Sequence, residues 1–158
     1  MPKYETNQRV VGFIRRLPAE FGGFGSQMVP MSGETVQMLH CQIQFQGARL
    51  YLAVFTRPGA KYDTIVLSMP LFYVPQSSTN ALFEQLLDWN NGATETVHFA
   101  VDELLNTVNL VCVRPVEGMA FQEFHYCVSN LVAVRANAMS RLQSRYELML
   151  MGEGRAWA

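Results

Sequence analysis

Six side chains in this sequence have the type and the closeness that metal or acid–base chemistry asks for. His40 adjoins Cys41, His125 lies two residues before Cys127, and Glu84 and Asp88 are four apart. A zinc site uses close ligand pairs such as Cys-x-x-Cys or His-x-x-x-His, so that two donors reach one ion. Neighbours on a strand point to opposite faces, which separates His40 from Cys41. Residues two apart on a helix sit about 200° apart, which separates His125 from Cys127. Glu84 and Asp88 share a helix face, a placement that serves acid–base work but equally an ordinary solvated face. No Gly-x-Ser-x-Gly elbow occurs, and Gly22-Gly23-Phe24-Gly25 is not followed by the Gly-Lys-Ser/Thr of a phosphate loop. A Ser-His-Asp or Cys-His set assembled in space stays open. The expectation is no catalytic residue, no metal site, no cofactor and no enzyme activity.

Composition narrows the class further. The chain has 158 residues, the size of one domain that can fold without a disulfide or metal staple. It is 49 % apolar and 16 % charged, against about 25 % charged in a typical domain. That balance describes either a large, well-filled core or apolar surface kept for a partner. A net charge of −1 gives no basic footprint for nucleic acid. Arg15 and Arg16 sit where a first helix ends, and cations suit that pole of the helix dipole. Three cysteines without paired spacing fit a reducing compartment. The N-terminal residues lack the apolar core of a signal peptide, and no apolar run approaches ~18 residues. We expect a cytoplasmic protein with no membrane span: a single domain over 1–152 and a short tail over 153–158.

The elements follow from periodicity. Val10, Val11, Phe13, Ile14 and Leu17 describe a helix over 5–17, closed by Pro18. Strand-like alternation covers Thr35–Gln46, Arg49–Thr56 and Thr64–Val74. The second of these is apolar on both sides and reads as central. Pro70 in the third predicts an edge strand or an early end. Leu82, Phe83, Leu86, Leu87 and Asn90 line one side of a second helix, stopped by Asn90-Asn91-Gly92. Thr96–Asp102 and Thr107–Arg114 form a strand–turn–strand. A long helical pattern then runs from Met119 to Met151. The order is α-βββ-α-ββ-α: an α+β fold with an antiparallel sheet of about five strands, helices on one face and a long C-terminal helix.

Two regions are expected to meet a partner. The connection over 18–34 is rich in glycine but carries Phe21, Phe24, Met28 and Met31. It reads as a flap packed on the core or as a contact surface. The last helix, at ~30 residues and ~45 Å, is longer than a five-strand sheet is wide, ~24 Å. Its far end, with Met139, Leu142, Tyr146 and Met149, is expected to overhang and meet a second chain. Methionine-rich surface adapts to varied partners, although most methionines fill cores.

Between Leu67 and Tyr146 the sequence resembles a known family. The strand ending Met69-Pro70-Leu71, the segment Leu86-Leu87-Asp88-Trp89-Asn90, a hairpin and a long last helix are similar to the type III secretion chaperone-like fold, and to the YbjN family of bacterial regulators that shares it. The resemblance implies a small cytoplasmic homodimer that binds protein and has no enzyme activity, a chaperone-like or regulatory adaptor. The alternative is a carrier of, or enzyme acting on, an apolar small molecule held between a long helix and a curved sheet. The helix between the third and fourth strands speaks against that alternative.

Overall fold

A computed structural model describes residues 4–18, 21–30, 37–45, 48–56, 59–92 and 97–148. In chain order these form α1 (Tyr4–Arg15), β1 (Phe21–Pro30), β2 (Gln37–Phe45), β3 (Ala48–Thr56), β4 (Asp63–Tyr73), α2 (Thr79–Gly92), β5 (His98–Asp102), β6 (Thr107–Pro115) and α3 (Phe121–Gln143). Among the described residues the strands make one antiparallel sheet in the order β1-β2-β3-β4-β6-β5. The antiparallel sheet, the three helices and the long final helix are as the sequence predicts.

The sheet gains a sixth strand where the sequence reads as a loop. Phe21 pairs with Phe45 and Pro30 with Gln37, with a register irregularity between Gly22 and Gly25. Gly22, Gly23 and Gly25 carry no side chains to alternate, so this strand hides its period. Glycine within a strand marks a bulge, and proline is tolerated on an edge, which is where β1 lies.

The strand holding Pro70 is central, not an edge. β4 lies between β3 and β6, and its pairing shifts between Pro70 and Phe72. The missing N–H is accommodated by that bulge.

The inner face of the sheet is a grid of apolar rows. Cys41, Leu52, Leu67 and Cys112 are successive partners across β2, β3, β4 and β6, and all four are buried. Leu39, Val54 and Ile65 form the next row, which ends on Arg114. Arg114 thus points to the helix side, where it meets Glu123 of α3 at 2.6 Å. Phe124, Cys127, Val128 and Leu131 of α3 close over these rows.

α1 packs on α3 through Phe13, whose ring stacks on Phe124 at 5.5 Å and tilts against Phe121 at 6.3 Å. The Arg16 guanidinium lies 4.1 Å over the Phe121 ring. That contact gives the arginine at the helix end a structural partner beyond the helix dipole.

The last helix is shorter than its pattern. It ends at Gln143, where the Ser144 hydroxyl donates to the Arg141 carbonyl at 2.8 Å and the Tyr146 N–H donates to the Leu142 carbonyl at 2.9 Å. These bonds satisfy carbonyls that a continuing helix would have used. At 1.5 Å per residue the helix is ~35 Å long. Residues 149–151 of the expected helix, and the 153–158 tail, lie outside the described residues.

Candidate partner-binding surface

The segment Leu86-Leu87-Asp88-Trp89-Asn90 divides its side chains between two tasks. Leu82 and Leu86 are buried in the core, while Leu87 is 62 % exposed and Phe83 half-buried. Leu87 therefore departs from the inward side on which the spacing put it. α2 starts after Ser78, which holds a left-handed φ of 60°, and the Thr79 hydroxyl donates to the Pro75 carbonyl at 2.7 Å.

At the other end of α2, Asn90 grips β5. Its Nδ2 donates to the Phe99 carbonyl at 3.0 Å, and the Phe99 N–H donates to its Oδ1 at 2.7 Å. The carboxamide pairs with the strand as another strand would. Trp89 adds a tilted contact on the Phe99 ring at 5.6 Å. β5 is the sheet's terminal strand, so these bonds occupy edge groups that would otherwise be open.

The result is an apolar face built from α2 and the β5 edge. Phe83, Leu86, Leu87, Asn90, Phe99 and Val101 line an open groove of about 240 Å³. Beside it, the β5–β6 turn displays Leu104, 93 % exposed, and Leu105, 53 % exposed. The turn is a formed structure: both leucine N–H groups donate to Asp102 Oδ1, at 3.0 and 3.1 Å, and Asn106 takes a left-handed φ of 56°. The turn's own hydrogen bonds thus hold two adjacent leucines out in solvent.

The outer face of the sheet, opposite the helices, carries a second, flatter apolar strip. Ala53, Val66 and Val113 are successive partners across β3, β4 and β6, and Tyr51 sits in the adjoining row. His40 of β2 stacks on Tyr51 with ring centroids 6.1 Å apart. Burial raises the Tyr51 hydroxyl above its ordinary range, with Arg49 pulling the other way.

A family model described as the Tir chaperone protein (CesT) family matches residues 35–139, about two thirds of the sequence. The chain belongs to that family. The match begins ahead of β2 and ends within α3, so β1 precedes it. The fold is also similar to a chain in the crystal structure of the ExsC–ExsE complex, at a TM-score of 0.53 and 17 % identity over 90 % of this chain and 96 % of that one. No curated protein matches the sequence. As a CesT-family member the protein has a chaperone-like, protein-binding role.

Against this surface the eight residues expected to contact a partner fall into four groups. Met139 is 6 % and Leu142 0 % exposed, both within the core. The shorter helix lays its last turn against the molecule, so these two side chains fill the core, and among the described residues the helix has no free overhang. Phe21 and Tyr146 are half-buried against the core, and the Tyr146 hydroxyl sits 3.3 Å from Gln85 of α2. Phe24 and Met28 lie on β1, while Met31 and Met149 lie outside the described residues. Sequence reasoning missed Leu87, Val101, Leu104 and Leu105. The signal was available: two adjacent leucines in an Asp-Glu-Leu-Leu-Asn turn have no periodic reason to be apolar.

The histidines and paired carboxylates occupy ordinary positions. His125 stacks on Phe121 at 5.6 Å with rings 7° from parallel. Glu84 and Asp88 are exposed on α2. No helix among the described residues is long and apolar enough to cross a membrane.

Proposed function

We propose that this CesT-family protein is a homodimeric chaperone or regulatory adaptor, without enzyme activity, working in the cytoplasm. Two copies meet through the face built from α2 and β5. That pairing leaves the outer sheet face and the opposite edge, β1, for a segment of a protein partner. The observation that carries the reading is the exposed apolar set Leu87, Val101, Leu104 and Leu105, placed around a groove on a terminal strand. Such a patch on a monomer is costly in water and marks an interface. A two-fold pairing fits it, because one apolar patch then satisfies its copy. Asn90 covers the β5 edge only at Phe99, so side-chain packing rather than sheet continuation holds the pair at that point.

The partner surface rests on the strip at Tyr51, Ala53, Val66 and Val113, together with β1 and its Phe24 and Met28. Apolar residues along an open sheet face suit an extended segment whose side chains alternate. Light scattering on the wild type and on Leu87→Asp and Val101→Asp tests the dimer. Co-purification with the Val66→Lys variant tests the partner face. A dimer that persists in both aspartate variants overturns the assigned interface. Partner capture unaffected by Val66→Lys overturns the sheet-face assignment.

A further inference from the structure

Two thiols face each other across the α3–sheet interface, and the protein-binding role does not use them. Cys112 is on the inner face of β6 and Cys127 on the buried face of α3; each is 1 % exposed and neither is in a disulfide. Each thiol shifts the other's proton affinity, Cys112 upward and Cys127 downward. A second contact fixes the same register. Arg114 follows Cys112 by two residues on one strand face, and Glu123 precedes Cys127 by four on one helix face. Two strand steps and four helical residues both advance about 6–7 Å. The register set by the 2.6 Å Arg114–Glu123 contact therefore brings Cys112 opposite Cys127 on the next rung between β6 and α3, which run antiparallel there.

We propose that Cys112 and Cys127 are a redox pair that closes to a disulfide joining β6 to α3. Cys127 is the attacking sulfur. The hydrogen bond from the Cys112 thiol lowers it below the ordinary thiol range and Arg114 acts in the same direction, against burial and Glu123. The same hydrogen bond and burial hold the proton on Cys112. With hydrogen peroxide as oxidant, the Cys127 thiolate attacks one peroxide oxygen. The O–O bond breaks, the leaving oxygen takes a proton to form water, and Cys127 becomes a sulfenic acid. The Cys112 sulfur then attacks the sulfenic sulfur. An S–S bond forms, and the hydroxyl leaves with the Cys112 proton as a second water. The two thiols lose two electrons and the peroxide gains them. Cys41 lies on the same inner row three strands away, roughly 14 Å at the spacing of strands, beyond disulfide reach.

The test uses the full reduced chain in its folded state, treated with a small excess of hydrogen peroxide and then alkylated under denaturing conditions. The expected product has lost the mass of two hydrogens, carries the link between Cys112 and Cys127, leaves Cys41 open to alkylation, and reverts with dithiothreitol. Cys112→Ser and Cys127→Ser each abolish the product, and Cys41→Ser retains it. The oxidised protein melts several degrees higher, because the bond closes a short loop around the β6–α3 connection. Recovery of both Cys112 and Cys127 as alkylated thiols after oxidation overturns the proposal. So does oxidation of Cys41 at the same rate, or linkage between chains in place of the internal bond.

Discussion

Asn90 on α2 and Phe99 on β5 exchange two hydrogen bonds, the Asn90 carboxamide acting on the strand as a neighbouring strand would. This one side chain joins helix to sheet edge and fixes how the exposed Leu87 and Val101 stand beside each other. It gives the Leu-Leu-x-x-Asn segment a physical meaning: one leucine for the core, one for the surface, and the asparagine to hold the edge.

Asn90→Ala removes both bonds and leaves the Phe99 N–H and carbonyl unpaired in a half-buried position. The expected loss is about 1–3 kcal/mol of stability, with weaker self-association. Asn90→Asp keeps the acceptor and recovers part of the loss. Urea unfolding of the three proteins, read at several concentrations, checks the order.

Phe124→Ala removes the ring that stacks on Phe13 and fills the space between α1, α3 and the sheet. A cost of about 3–5 kcal/mol is expected. A loss under 1 kcal/mol would show that α1 does not dock as described.

The Arg114–Glu123 contact is short but more than a third exposed on both sides. Solvent screening limits such pairs, so Glu123→Gln is expected to cost less than about 1 kcal/mol. The same measurement in high salt should show the difference shrinking further.

Cys41 sets a pH dependence at alkaline pH. Burial pushes its thiol up to about 11 from 9.0. A raised value in the folded state means that the contribution is fully present below pH 9.0 and is lost as pH rises through about 11. The fall attributable to Cys41 is about 2–3 kcal/mol across that window. Cys41→Ala should flatten this part of the stability profile, at the cost of a small cavity. An unchanged alkaline profile in the variant would remove Cys41 as the cause.

Much of the fold was legible because most strands alternate cleanly. Leu39, Cys41 and Ile43 face inward with Gln42 and Gln44 between them, and Phe124, Val128 and Leu131 keep helical spacing. β1 was hidden because Gly22, Gly23 and Gly25 carry no pattern, and Pro70 misled because a bulge within a central strand looks locally like an edge. The end of α3 was overrun because Tyr146 continues the apolar spacing beyond Gln143 while packing from a turn. The candidate interface was least legible. Leu87 shares a helical stripe with buried Leu86, and only tertiary placement shows that it faces out.

The most direct test of the account is the mass of the purified protein in solution by light scattering after size exclusion. The account predicts about twice 17.9 kDa for the wild type and 17.9 kDa for the folded Leu87→Asp variant. A wild-type mass of 17.9 kDa at every concentration tested would contradict it.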